Sequence, residues 1–333
     1  MKEDIVLLGT GSEPGECFES NEELAKHITN YKSSLSGKSL DEWIVEHYGI
    51  KTRARSRRLP SELGFNAAMK AINRSGLTVK DIDFLILNTV TGDYKQPTTA
   101  TEVQGLLGMG PSTFALEVNM PCSGSIYTLE IARSLLLTRP GSTALVIGVD
   151  KMSDFVDPTN FIMAGMFGDG AGAAVLGRGK GLKLSMAYLE SQSDENRSLC
   201  IHGGGSKEPL TEEGLKDGRQ FLHMRGKQTS AFIQMSLEKT VLTLLNQSGY
   251  RPGDFDKVVP HQASKVIVES ALYKLGFKNH QIHFTVERYG NTSAGSILVT
   301  LDDYLSSNPE TSSRVMLIGM GGGLNWGGMI LES

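Results

Sequence analysis

Two hydrophobic rhythms alternate along this chain of 333 residues. One is a short, nearly continuous apolar run closed by Gly, Asn or Asp. The other is a longer segment with apolar positions three and four residues apart. The first predicts buried strands and the second amphipathic helices. Strands are expected at "DIVLLGTG", "FLILNTV", "FALEVN", "TALVIGVD" and "GAAVLGRG" in the first half. In the second half they are expected at "GLKLSMAYLE", "KVVPHQA", "IHFTVERYG", "RVMLIGMGGG" and "WGGMILE". Helices are expected over Ser61–Ser75, Ala100–Leu107, Ile126–Thr138, Gln228–Ser248, Lys265–Leu275 and Ala294–Leu305. Strands alternating with helices predict a layered α/β fold.

The pattern also repeats. "FLILNTVTG" is matched by "KVVPHQAS", "VNMPCSGSIYTLEIARSLL" by "VERYGNTSAGSILVTLDDYL", and "TALVIGVD" by "RVMLIGMG". The chain therefore reads as one unit used twice. The boundary falls near "LGRGKG" at 176–181, giving an N-terminal half over 1–179 and a C-terminal half over 180–333. No linker composition separates them, so two halves sharing one core are expected. In this register Cys122 and Asn291 occupy equivalent turns.

Composition narrows the class. Hydrophobic residues make up 39% and Gly numbers 38, which suits a sizeable core with many tight turns. The net charge of −4 and pI near 6.0 point to neither nucleic acid nor a membrane surface. No apolar run approaches the roughly 20 residues of a membrane span. Three widely spaced cysteines, Cys17, Cys122 and Cys200, fit neither a disulfide framework nor a zinc pattern. The N-terminus "MKEDIVLLGTGS" reads as a strand and a Gly turn rather than a signal peptide. A soluble, cytoplasmic protein without metal is expected. Segment 51–58, "KTRARSRR", reads either as a solvated loop or as a landing site for phosphates or an acidic carrier protein. Segment 190–220 is polar and Gly-rich, and a long surface loop is expected there.

Cys122 carries the sharpest chemical signal. It stands in "NMPCSGS", between a strand and a helix. A thiolate is the nucleophilic form of cysteine, and a helix start lowers a thiol pKa from about 8.5 through its unpaired N–H groups and dipole. The small residues Ser123, Gly124 and Ser125 allow N–H groups to reach a substrate carbonyl, as an oxyanion hole requires. A lone buried cysteine is more often inert. Two further motifs shift that balance. "VVPHQAS" ends a strand with His261, where α/β folds present functional groups. "YGNTSAGS" places Asn291 at a helix start, where it could also cap.

Together "PCSG", "FGDGAGAAVLG", "PHQAS", "YGNTSAGS" and "GGGLNWGG", with "DEWIVEHYGI" near the N-terminus, resemble the motifs of the ketosynthase III family, 3-oxoacyl-[acyl-carrier-protein] synthase III-like enzymes of thiolase fold. The resemblance spans nearly the whole chain, in family order. It implies two pseudo-repeated βαβ halves in an α-β-α-β-α arrangement, and a homodimer. It also implies a Cys122–His261–Asn291 triad. Cys122 would take an acyl group from a thioester. His261 and Asn291 would hold the carbonyl of a malonyl (or β-ketoacyl) thioester while CO₂ leaves and the enolate attacks. The backbone N–H groups of Cys122 and of a Gly in Gly321–Gly323, taken as Gly322, would serve the acyl-transfer oxyanion. No cofactor is implied beyond coenzyme A or phosphopantetheine as substrate carriers, and acyl carrier protein is the implied partner.

Substrate contacts are expected from Trp43, Gln96, Phe161, Met224 and Leu324, and carrier-protein docking from Lys265, Arg55 and Arg58. Three departures from the family pattern stand out. Trp43 matches a family Trp that stacks on adenine, but the family Arg residues are Phe161 and His47 here. "HQASKVI" places Val266 where a docking Arg is usual, with Lys265 beside it. Gln96 replaces a large apolar residue that reaches the partner subunit's acyl pocket. The implied setting is fatty-acid-derived or polyketide biosynthesis, in a specialised pathway. Two alternatives are Cys-dependent acyl transfer without decarboxylation and a silent partner of a heterodimeric condensing enzyme.

Overall fold

The computed structural model describes residues 4–307 and 314–333. Among these residues thirteen strands run in chain order: β1 Val6–Pro14, β2 Cys17–Ser20, β3 Thr52–Arg55, β4 Phe84–Asn88, β5 Phe114–Val118, β6 Ala144–Lys151, β7 Asp169–Gly177, β8 Leu182–Ser191, β9 Leu199–Ile201, β10 Leu222–Met224, β11 Lys257–Pro260, β12 Arg314–Gly321 and β13 Asn325–Glu332. The short helices are α1 Asn21–Ala25, α2 Ser33–Ser36, α7 Phe161–Met166, α8 Glu212–Lys216 and α11 Val286–Tyr289. The longer ones are α3 Leu40–Tyr48, α4 Pro60–Ser75, α5 Thr99–Leu106, α6 Gly124–Thr138, α9 Gly226–Ser248, α10 Lys265–Lys274 and α12 Ser296–Ser307.

Nine strands form one sheet in the order β11-β12-β13-β8-β1-β7-β6-β4-β5. Strands of the first half occupy one side and those of the second half the other. The seam is short: β1 pairs with β8 only at Val6–Lys183 and Leu7–Leu182. Within each half the apolar alternation faces two ways. Inner-facing Ile86, Val146, Leu317 and Met329 pack with Ile126 and Leu129 of α6 and Ile297 and Leu301 of α12. Outer-facing Leu85, Ile147 and Val175 pack under Leu63, Ala67 and Val103 of α4 and α5. Met316, Ile318 and Ile330 pack under Leu237 and Val241 of α9 and Val268 and Leu272 of α10. Helices thus lie outside both halves and between them, with α6 and α12 shared in the middle.

One predicted strand is absent. At "IHFTVERYG" only Ile282 pairs, in an isolated parallel bridge to Val258 of β11. The Gln262 side-chain Oε1 then accepts from the N–H groups of Thr285 and Val286 and turns the chain into α11. This bridge stands where β5 stands in the first half. Segment 190–220 is likewise more than a loop, since it holds the end of β8, then β9 and α8. Leu199 of β9 pairs with Met224 of β10 beside the cavity described below.

The basic run is not a solvated loop. Residues Thr52–Arg55 form β3 and pair with β2, and Arg53 is fully buried. No helix among the described residues is long and apolar enough to cross a membrane.

Candidate active site

The N-terminal ends of α6 and α12 meet at the centre of the molecule. Ser125 donates to the Ala294 carbonyl at 2.7 Å. A Cβ on Gly148 would stand 2.3 Å from that carbonyl oxygen, so β6 passes this point only as glycine. Cys122 precedes α6 in the left-handed region, with φ 46°. Non-glycine residues hold that conformation only where the surroundings impose it, and such strain concentrates at functional sites. Gly124 allows the turn, because a Cβ there would lie 2.0 Å from Nδ2 of the buried Asn88. The Cys122 thiol lies 3.7 Å from the Ser293 hydroxyl, and Ser293 too is left-handed, with φ 47°.

His261 follows β11, and its N–H donates to the Ile318 carbonyl of β12 at 2.7 Å. Its imidazole is buried, with Nδ1 2.6 Å from the Ser296 hydroxyl. That contact leaves Nε2 for the cavity. Asn291 is fixed from both sides of its backbone. Its N–H donates to Met166 at 2.9 Å and its carbonyl accepts from Gly168 at 3.0 Å. The side-chain Oδ1 accepts from the Ser293 N–H at 2.8 Å, so the amide Nδ2 is the free donor.

Cys122, His261 and Asn291 line one cavity of about 380 Å³. Its walls are largely apolar, with Phe167, Leu199, Phe232 and Ile233 beside Met224 and Leu324. Gly322 also lines it. Gly321 stands closer to the thiol, since a Cβ there would lie 2.8 Å from Cβ of Cys122.

Trp43, Gln96 and Phe161 are not part of this lining. Trp43 stacks on His47 with ring centres 4.0 Å apart and 12° between planes. Phe161 meets the indole edge-on at 4.8 Å, and Tyr31 packs on Phe161 at 5.1 Å. Gln96 is exposed, on the loop before α5.

The docking residues divide. Arg55 donates to the Glu19 carboxylate at 2.8 and 3.0 Å and to the carbonyls of Phe167 and Ala164. It is a structural clamp, which corrects its assignment to a docking surface. Arg58 pairs with Glu13 at 2.6 Å, and Lys265 with Glu287 at 2.7 Å.

Electrostatics overturn one expectation. Burial pushes the Cys122 thiol up to about 12, against the hydrogen bond with Ser293 and with a further rise from the Asp150 carboxylate. The resting thiol is protonated at neutral pH, not poised as a thiolate. Burial alone pulls His261 down to about 3, so its imidazole is neutral.

Asp150, Ser293 and Ser296 were missed at the level of sequence. Asp150 ends β6 fully buried. Its Oδ1 accepts from Thr89, Thr91 and the Val90 N–H at 2.8–3.0 Å, and its Oδ2 from the Ala294 N–H. A charged residue closing the apolar run "TALVIGV" was the available signal. Among the described residues no group of three His, Cys, Asp or Glu side chains is placed to hold a metal ion.

A thiol, a neutral imidazole and a carboxamide donor thus share one apolar cavity. Comparison with known proteins gives the class. The family model for 3-oxoacyl-[acyl-carrier-protein (ACP)] synthase III matches residues 116–194, and the model for its C-terminal part matches 245–333. The beta-ketoacyl-[acyl-carrier-protein] synthase III of Campylobacter curvus is 34% identical over 310 residues, 92% of this chain and 93% of that protein. The Caldanaerobacter subterraneus protein of the same name is 31% identical over 330 residues, 98% of this chain and 97% of its own. The solved 3-oxoacyl-[acyl-carrier-protein] synthase III of Aquifex aeolicus superposes with a TM-score of 0.87 at 27% identity, covering 99% of this chain and 100% of that one. The chain belongs to the 3-oxoacyl-[acyl-carrier-protein] synthase III family. It has the thiolase-like fold and is a condensing enzyme of the acyltransferase class.

Proposed function

We propose that Cys122 carries the acyl group and that His261 and Asn291 drive decarboxylation of a malonyl thioester. The observation that carries this reading is the convergence of the three side chains on one apolar cavity from both halves of the chain. In the first stage the Cys122 sulfur attacks an acyl thioester, and the thiol proton ends on the departing carrier thiol. In the second stage the malonyl C–C bond to the carboxylate breaks and CO₂ leaves. The thioester oxygen becomes an enolate oxygen, held by Nε2–H of His261 and Nδ2–H of Asn291. The enolate carbon attacks the acyl-Cys122 carbonyl. The backbone N–H groups of Cys122 and Gly322 hold that oxyanion, and its collapse expels the Cys122 thiolate and releases a 3-oxoacyl thioester. Preorganised donors of this kind typically contribute about 10²–10³ each in rate.

Acyl carrier protein is the favoured donor and acceptor. One face of the Trp43 indole is covered by His47, and Phe161 meets the indole edge-on, which crowds the place of a stacked adenine. Phosphopantetheine on a carrier protein needs no such slot. Lys265, at the start of α10 beside the cavity-lining Val266, is the docking cation retained here, with the exposed Lys51 and the partly exposed Arg58. The protein acts in the cytoplasm as a homodimer. β5 is the outer strand of the sheet, and Phe114 and Leu106 beside it are half exposed. Gln96 then reaches the partner's acyl pocket.

Intact-protein mass spectrometry with a panel of acyl thioesters, paired with CO₂ release from malonyl-carrier protein, tests the central claim. Cys122→Ala is expected to lose both acylation and condensation. His261→Ala and Asn291→Ala are expected to acylate normally and to release CO₂ about 10²–10³ more slowly. Normal acylation of Cys122→Ala would end the assignment.

A further inference from the structure

The Ser296 hydroxyl is buried at the start of α12, and its single side-chain hydrogen-bond partner among the described residues is Nδ1 of His261. A hydroxyl has one proton to donate, and a buried O–H left without an acceptor is costly. If Nδ1 carried the proton, it would donate to Ser296, whose own O–H would then lack an acceptor. If Ser296 donates instead, both atoms are satisfied. Nδ1 is then an acceptor, and the ring proton must sit on Nε2, the nitrogen that remains for the cavity. Its backbone adds rigidity, since Ser296 closes the turn Ser293–Gly295 whose Ser293 N–H holds Asn291 Oδ1.

We propose that Ser296 is a positioning residue that fixes the Nε2–H tautomer of His261 by donating its hydroxyl proton to Nδ1. The role rests on the reading of His261 as an enolate donor. An imidazole in the other tautomer would present a lone pair to the developing negative oxygen, opposing the charge it has to stabilise. Ser296 touches no reacting atom and acts only through the ring. It therefore separates the two stages of the reaction, because acylation of Cys122 does not need the Nε2 proton and decarboxylation does.

The experiment compares the wild type with Ser296→Ala and Ser296→Thr, using ¹⁵N-histidine NMR on the resting protein beside the two half-reactions. In the wild type, Nε2 of His261 should carry the pyrrole-type signal and Nδ1 the pyridine-type signal of an accepted hydrogen bond. Ser296→Ala should lose the hydrogen-bonded Nδ1 shift and show both tautomers. It should load Cys122 at the wild-type rate and release CO₂ more slowly in proportion to the rings left in the wrong tautomer, about twofold for equal populations, since a wrong-tautomer imidazole cannot donate. Ser296→Thr, which keeps the hydroxyl, should restore the Nε2–H signal. Should the added methyl prevent folding, Ser296→Ala decides alone. A wild-type spectrum with the proton on Nδ1 overturns the proposal. So does a Ser296→Ala variant with an unchanged His261 spectrum, whatever its activity. A variant whose tautomer shifts while CO₂ release stays normal supports the role of Ser296 on the ring. That result instead overturns the reading of His261 as the enolate donor.

Discussion

Lowering the pH of the decarboxylation half-reaction probes the burial of His261 directly. An imidazole with the ordinary value near 6.5 is only about 3% neutral at pH 5. With its value pulled down to about 3, His261 is still about 99% neutral there. The rate of CO₂ release should therefore be nearly flat from pH 7.5 to 5, where an ordinary histidine would lose about thirtyfold. The same shift makes a stability statement. The folded value lies below the unfolded one, so the folded state resists a proton that the unfolded chain accepts. The stability is full above about pH 6.5 and drains as pH falls toward about 3, by roughly 5 kcal/mol in all for this fully buried ring. The assay is single-turnover CO₂ release from malonyl-carrier protein, with a thermal melt at each pH to show that the fold survives. A tenfold fall in rate per pH unit below 6.5 on intact protein would mean that His261 titrates normally, and the burial argument would fail.

Gly124→Ala should destabilise the protein by about 1–3 kcal/mol in urea titration, because its Cβ would overlap the buried Asn88 amide at 2.0–2.4 Å. The double variant with Asn88→Ala should recover most of that loss, since both polar atoms of that amide have no hydrogen-bond partner among the described residues. Iodoacetamide should alkylate resting Cys122 far more slowly at pH 7.5 than an ordinary thiol, and faster as pH rises, because its value stands near 12; rapid alkylation at neutral pH would show a thiolate that burial does not allow. Cys122 should load with higher kcat/KM from carrier protein than from coenzyme A, and Phe161→Arg should raise the coenzyme A value about tenfold by restoring a cation beside Trp43.

The regular elements were legible because their burial pattern is local. The apolar spacing over 61–75 and 228–248 yields α4 and α9, whose ends move by one or two residues. The closeness of Cys122 and Asn291 was legible for another reason: the repeat placed them at equivalent turns, and the two helix starts do meet. What escaped depends on partners distant in sequence. "IHFTVERYG" has a strand's composition, but its backbone is captured by Gln262, some twenty residues earlier. Arg53 reads as part of a solvated charge run. It is buried because Asn21 and the carbonyls of Glu19 and Ser20 accept its guanidinium across the β2–β3 pair. The Cys122 value was misjudged because a helix start is visible in sequence and full enclosure is not.

That enclosure acts in opposite directions on the two halves of the site. It keeps His261 neutral, as an enolate donor must be, and it keeps the thiol protonated, which a nucleophile must not remain. A single environment can serve both because the two stages use different groups. Decarboxylation occurs when Cys122 is already a thioester and has no proton to lose, so its high value costs nothing then. Acylation is the stage that feels it. There the α6 N-terminus favours a sulfur anion, as does the Ser293 hydroxyl when its single proton turns to the sulfur, and the Asp150 carboxylate, which competes for that proton, opposes it. The chemistry thus predicts that acyl loading, not carbon–carbon bond formation, responds most to changes at Ser293 and Asp150. Decarboxylation responds most to changes at Ser296 and His261.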